Sequence, residues 1–244
     1  AQIKGRVRVG DILHFDENAR AEILALNADG TRKVRFFVGA KNLNLNEILA
    51  LLEKIGHIPL PPYIKRADTE MDGVDYQSIF AKNSGAVAAP TASLHFSRQM
   101  LENLAKSHEI YTLTLHIGAG TFKSVECEDI RAHAMHAESF FAGQDLADLI
   151  KSDKMVLGVG TTCTRCIEFI ARTGLLSGQC DLFLHPHNKP LRQNYLLTNF
   201  HLPKSTLIML VASFIGRAKT LEIYDEAIKK GYKFYSYGDA MLII

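Results

Sequence analysis

Residues 198–206 read Thr198-Asn199-Phe200-His201-Leu202-Pro203-Lys204-Ser205-Thr206 and run straight into Leu-Ile-Met-Leu-Val at 207–211. The stretch predicts an apolar, buried helix over 202–215. Pro203 suits the first helical position, where its missing N–H costs nothing. The free N–H groups at a helix start point outward and carry partial positive charge. Lys204, Ser205 and Thr206 fall in that first turn, which makes it a candidate cradle for a carboxylate or a phosphate. His201, just before it, is a candidate proton-transfer group.

Working outward, strands alternate with helices. Tyr111–Ile117 and Met155–Val159 read as strands, each ending in glycine. Asp181–Leu184, Phe234–Tyr237 and Met241–Ile244 read as further strands. Helical spacing marks 97–107, 144–151, 167–172 and 221–230. This alternation predicts an α/β or mixed α+β main domain. Residues 1–38 differ: they read as short strands with turns at Gly10-Asp11 and Asp29-Gly30. Asn44–Ile55 then carries Leu45, Ile48, Leu49, Leu52 and Ile55 at helical spacing before Gly56. His57–Tyr63 holds three prolines in seven positions and must be extended. The expected boundary falls at 55/56, with a small β domain at 1–55 and a main domain at 56–244.

Composition sets limits. Apolar residues make up 47% and charged residues 22% of the 244 residues, as expected for a globular protein with a sizeable core. The apolar run 207–215 is too short to span a bilayer, and no charged-then-apolar leader points to secretion. The net charge of +2 neither demands nor excludes nucleic acid. Basic clusters at Lys4/Arg6/Arg8, Lys65/Arg66, Arg217/Lys219 and Lys229/Lys230/Lys233 could follow a phosphate backbone or simply be solvated. Cysteines 127, 163, 166 and 180 fit free thiols in a reducing compartment.

Four segments join a strand to a polar turn: Ala88–Phe96, Leu115–Phe122, Gly158–Arg165 and Ser236–Met241. Ligands of α/β sheets bind at such strand ends, because glycine permits close backbone approach. Tight turns need glycine in any protein, so each segment alone says little. Gly158–Cys163 gives G-x-G-x-x-C and lacks the third glycine of the dinucleotide fingerprint. Cys163 and Cys166 form a lone C-x-x-C, compatible with a redox pair or with incidental spacing. His133, His136 and Glu138 offer a metal-ligand spacing on a helix, or a hydrogen-bonded support for a site. His95, His116, His136 and His201 each sit at an element end near Gly, Thr, Glu or Lys.

Longer stretches carry a resemblance. GHIPLPPYI (56–64), DYQSIFA (75–81), GAVAAPTASLHF (85–96), TLHIGAGTF (114–122), HAMHAE (133–138), GVGTTCTRCIE (158–168), LLTNFHLPKSTLIMLV (196–211) and YSYGDAML (235–242) occur in the order seen in a known family. Together they resemble the S-adenosylmethionine:tRNA ribosyltransferase-isomerases of queuosine biosynthesis. The resemblance implies an α+β fold, a mixed α/β catalytic domain beside a smaller β-barrel-like domain, with residues 1–55 corresponding to the later part of the latter. It implies transfer and isomerisation of the ribosyl part of S-adenosylmethionine onto the aminomethyl-deazaguanine base in a tRNA anticodon. The product is epoxyqueuosine, and adenine and methionine leave. S-adenosylmethionine would be a consumed substrate, with no cofactor and no metal, in a cytoplasmic and monomeric protein without a membrane partner.

That chemistry makes demands. The sulfonium acidifies the adjacent carbon, so a general base is needed; His201, Asp239, His95 and His116 are the candidate catalytic residues. Lys204, Ser205 and Thr206 could take the methionine carboxylate or a tRNA phosphate. Thr161, Thr162 and Arg165 could hold the adenosine part or a phosphate, and Tyr63 could stack on a base. Thr91, Asn199 and Tyr237 complete the candidate binding set, and Asp239 could also face the sulfonium or the methionine amine. Two departures stand out: His187 where the family commonly has Gly, and Asn194 where it commonly has Asp. If that Asp were a base, Asn194 could not replace it. The rivals are a tRNA-binding protein of the same fold without catalysis, and a metal-dependent hydrolase using His133, His136 and Glu138.

Overall fold

Alternating small apolar side chains organise the first part of the chain. Strands β1 (Ile12–His14), β2 (Ala19–Leu26), β3 (Arg32–Val38) and β4 (Lys41–Asn42) form one antiparallel sheet in that order. Ala19, Ala21 and Ile23 all point to the buried face, as the two-residue period of a strand requires. A bulge between Ile23 and Ala25 shifts the register against β3. The sheet is an open meander among the described residues, with β1 and β4 at its edges. Helix α1 (Leu45–Ile55) follows. Asn44 accepts from the Glu47 N–H at 3.1 Å, and the Glu47 carboxylate accepts from the Asn44 N–H at 2.9 Å.

The computed structural model describes residues 1–28, 30–61, 63–83, 85–86, 88–117, 129–130, 133 and 135–244. Asp29, Pro62, Gly118–Phe122 and Cys127, named above, lie outside them. Two compact units are present, Ala1–Ile58 and Pro59–Ile244. The fold is mixed α and β.

In the second unit come α2 (Asp72–Asp75), a 3-10 turn (Thr91–His95), α3 (Arg98–Leu104) and β5 (Leu113–His116). Next are β6 (Glu138–Ala142), α4 (Gln144–Lys151), β7 (Leu157–Val159), α5 (Thr161–Thr173) and β8 (Ser177–Cys180). The chain closes with β9 (Tyr195–Asn199), α6 (Thr206–Ile215), α7 (Arg217–Lys229) and β10 (Ala240–Ile243). One sheet has the order β5-β6-β8, all antiparallel. The other has the order β10-β9-β7, in which β9 and β7 run parallel. Each of these parallel strands leads into a helix, α5 after β7 and α6 after β9, so both helix starts lie at the same end of the sheet.

Two apolar clusters hold this unit together. Phe140, Leu146, Ile150, Val156, Ile167 and Ile170 pack in one; Leu184, Leu196, Phe200, Leu210, Val211 and Ile243 pack in the other. Buried polar groups pin the irregular segments between them. The Glu168 carboxylate accepts from the backbone N–H groups of Leu191, Arg192 and Gln193 at 2.6, 2.9 and 2.7 Å, and from Arg172 at 2.5 Å. Arg192 donates to the carbonyls of Leu149, Ile150, Ser152 and Lys154 and so closes the C-terminal end of α4. The Asn194 side-chain oxygen accepts from the Val156 N–H at 2.9 Å and anchors the entry to β7.

Several expected elements differ. Helix α6 begins at Thr206 rather than 202, because Lys204 has φ +56 and Ser205 is the N-cap, accepting from the Ile208 N–H. Residues 181–184 form no strand; Arg165 donates to the Leu182 carbonyl and Asn188 to the Phe183 carbonyl, which takes them out of a ladder. Residues 234–237 turn instead of extending, with Tyr235 at φ +76. Helix α5 reaches back to Thr161 from the expected 167 because Gly160, at φ +90, lets the chain turn from β7 directly into it. His133 and His136 are not on a helix.

Candidate functional site

The carboxyl ends of β7 and β9 open into a pocket. Its floor is the start of α5, Gly160 to Cys163. The loop His201–Ser205 before α6 faces it. Ala88–Ala92 and Ile117 form one wall, and Tyr63, Tyr235 and Ser236 form another. Parts of all four strand-to-turn segments therefore meet near one cavity, together with the stretch 198–207; the 236–241 segment contributes only its first residue.

Helix α5 has no side chain bonded to its first-turn N–H groups, since Gly160 occupies the N-cap. Thr161 and Thr162 sit in that turn and line the pocket. Helix α6 is different: Ser205 lines the pocket, but its hydroxyl already donates to the Leu202 carbonyl at 2.7 Å and caps the helix. Of the two helix starts, α5 is the one left open to an anion.

Asn199 is the buried hub. Its oxygen accepts from the Thr91 hydroxyl at 3.3 Å, and its amide donates to His95 Nε2 at 3.1 Å and to the Tyr235 carbonyl at 3.2 Å. Accepting at Nε2 leaves the proton of a neutral His95 on Nδ1. His201 Nε2 lies 2.8 Å from the Thr198 hydroxyl, and the His201 N–H donates to the Tyr224 oxygen at 3.1 Å. His201 lines the pocket, and burial pushes its pKa down to about 3, so it is neutral at ordinary pH.

The aromatic wall is held tightly. Tyr63 and Tyr235 stack with centroids 4.7 Å apart and planes 30° apart. The Tyr63 hydroxyl bonds the Ser236 hydroxyl and accepts from the Ser236 N–H at 3.1 Å. Burial raises the Tyr63 pKa. Tyr235 and Ser236 are not among the candidate site residues of the sequence reading, although Ser236 opens the 236–241 segment and both fall in YSYGDAML (235–242).

Other candidates stand apart from the lining. Arg165 is buried against Glu138 at 3.0 Å and donates to the carbonyls of His136, Cys180 and Leu182. The Asp239 carboxylate accepts from the Lys233 N–H at 2.7 Å. The Tyr237 hydroxyl donates to Asp72 at 2.8 Å. Thr206 is buried within α6, and Lys204 is exposed between two lining residues, Pro203 and Ser205. His116 ends β5 next to Ile117, with no partner for its buried Nδ1 among the described residues.

The thiols have separate surroundings. Cys163 faces the pocket, and burial pushes its pKa up to about 11. Cys166 is hydrogen-bonded to Cys180 rather than to Cys163, which raises the Cys166 pKa. These three are free. Among the described residues no group of three or more His, Cys, Asp or Glu side chains could hold a metal. Glu138 is engaged by Arg165, and the His133 ring packs on Phe183 at 5.5 Å.

A pocket at the carboxyl ends of paired parallel strands, floored by an uncapped helix start, marks a mixed α/β protein with a candidate ligand site. The chain belongs to the queuosine biosynthesis protein family, whose model matches residues 1–243. It is 64% identical over 244 residues to the S-adenosylmethionine:tRNA ribosyltransferase-isomerase of a Campylobacter jejuni serotype O:6 strain, covering 100% of this chain and 71% of that protein. It is 58% identical over 242 residues to the protein of the same name from Aliarcobacter butzleri, covering 99% of this chain and 71% of that one. Among solved structures it resembles the S-adenosylmethionine tRNA ribosyltransferase from Thermotoga maritima, with a TM-score of 0.51 and 28% identity, over 98% of this chain and 67% of that one.

Proposed function

We propose that this chain performs the reaction for which its relatives are named, moving the ribosyl part of S-adenosylmethionine onto a tRNA base and isomerising it. The observation that carries the reading is the pocket at the ends of β7 and β9, built by the segments that resemble the family. S-adenosylmethionine is consumed, and no cofactor enters the reaction. The open N-terminus of α5, with Thr161 and Thr162, is suited to the methionine carboxylate. The Tyr63–Tyr235 wall is suited to a flat base. His201, neutral in its setting, is fitted to hydrogen-bond a ribose hydroxyl or the departing adenine.

Abstraction of the proton beside the sulfonium calls for a base stronger than an imidazole with a pKa near 3. His95 is the alternative by residue type, and to accept a proton it must first release Nε2 from the Asn199 amide. Lys204, exposed at the pocket rim, is suited to a tRNA phosphate. Asn194 is engaged with the Val156 N–H and takes no part in the chemistry. The β-barrel-like reading of the first unit rests on the resemblance and on its bulged antiparallel meander. We place the protein in the cytoplasm, on the ground that tRNA is its partner, and as a monomer on the resemblance alone; no helix among the described residues is long and apolar enough to cross a membrane.

The test is release of adenine from S-adenosylmethionine, with and without tRNA carrying the aminomethyl-deazaguanine base. Release that depends on that tRNA supports the reading. Binding of the tRNA with no adenine released refutes it.

A further inference from the structure

A second polar cluster lies behind the aromatic wall of the pocket. Its centre is Asp72, 3% exposed. Arg66 donates to both carboxylate oxygens, at 2.6 and 2.8 Å. The Thr69 N–H and hydroxyl donate to one of them at 2.8 and 2.9 Å. The fifth donor comes from far along the chain: the Tyr237 hydroxyl, 2.8 Å from the other oxygen. Five donors around one buried carboxylate hold it firmly ionised, with Arg66 the largest cause of its lowered pKa.

Tyr237 does not line the pocket, but its neighbours Tyr235 and Ser236 do. They belong to a loop folded back on itself, the Lys233 N–H meeting the Asp239 carboxylate and the Asp239 N–H meeting the Lys233 carbonyl at 2.8 Å. Tyr235 sits at φ +76, a region costly for a bulky side chain, so the loop must be held by its surroundings. Two side-chain links tie it to residues 63–72. Tyr63 to Ser236 lies on the pocket wall, and Tyr237 to Asp72 lies behind it. Edge packing of Tyr76 on Tyr237, with centroids 5.7 Å apart, seats the ring whose hydroxyl makes the second link.

We propose that Tyr237, anchored on Asp72, is a positioning residue that holds the Tyr235–Ser236 wall where S-adenosylmethionine must fit. The proposal rests on the reading of the pocket given above. Tyr237 touches no ligand; it acts through the loop.

Tyr237→Phe removes the hydroxyl link and keeps the ring and its packing. In the full chain, the expected KM for S-adenosylmethionine rises about tenfold, the consequence of losing one hydrogen bond to a charged group. kcat stays close to that of the unmodified protein, and the thermal midpoint falls by only about 2–4 °C. Amide hydrogen exchange speeds up about tenfold at Tyr235 and Ser236 and stays unchanged in β7, β9 and α5. A KM left unchanged overturns the proposal. So does unaltered exchange in 233–239, or exchange that rises evenly through the chain, which marks a merely structural residue. If the unmodified protein releases no adenine, the functional reading fails by itself; the exchange data, with equilibrium dialysis of S-adenosylmethionine in place of KM, still decide the role of Tyr237.

Discussion

Gly158 lies in the middle of β7, opposite Leu196 of β9, and precedes the pocket-lining Val159 and Gly160. A methyl group added there would come within 2.2–2.4 Å of the end of the Gln193 side chain. Gln193 is 6% exposed; its amide donates to the Thr164 hydroxyl at 3.1 Å and to the Tyr195 carbonyl at 2.8 Å. A glutamine tip can swing aside, so the cost of Gly158→Ala is the loss of these two buried hydrogen bonds rather than a rigid clash. At about 1 kcal/mol each, the loss is about 2 kcal/mol. For a chain of this size that lowers the thermal midpoint by about 4–8 °C. Urea unfolding of Gly158→Ala, Gln193→Ala and the double variant measures it. Gln193→Ala already gives up the two bonds, so adding Gly158→Ala to it should cost little, and the cycle should show a coupling of about 2 kcal/mol. A single variant within about 0.5 kcal/mol of the unmodified protein, or strictly additive losses, would refute the reasoning.

Three further outcomes are expected. Glu168→Ala strands three backbone donors and Arg172 and should cost about 4 kcal/mol or more, visible as failure to fold at ordinary temperature or as a large fall in the urea midpoint. His201 has a folded-state pKa of about 3, below its ordinary value near 6.5, so the unfolded chain takes up the proton first. Its contribution to stability is complete above about pH 6.5 and falls away as the pH drops towards 3; His201→Asn should flatten that part of the profile, read by denaturation at a series of pH values. Asp239→Ala frees the Lys233 N–H and opens the 233–239 loop, so adenine release should fall about tenfold or more, whereas Asp239→Asn, which keeps an acceptor oxygen, should retain most of it.

Elements announced by local chemistry were legible in the sequence. Asn44 and Glu47 cap α1 through each other, and α4 spans the residues its apolar spacing marks. Elements decided by distant side chains were not. Nothing near Asp181–Leu184 says that Arg165 and Asn188 will take the carbonyls a strand would need. Lys204 in a left-handed conformation moves the start of α6 past Pro203, and no glycine marks the spot. The pocket shows the same division. Its strand-end turns could be recognised one by one because Gly and Thr mark them. Whether a polar residue beside such a turn faces inward depends on its partner: Glu138 draws Arg165 away across 27 positions, and Asp72 draws Tyr237 away across 165.

The clasp made by Glu168 sets an uneven tolerance to substitution. Its carboxylate grips peptide N–H groups, which every residue but one type supplies. Position 191, whose leucine side chain is 73% exposed, should therefore accept almost any replacement without loosening the turn into β9. Proline is the exception at 191, 192 and 193, and a proline scan across these three would map the clasp from the backbone side alone.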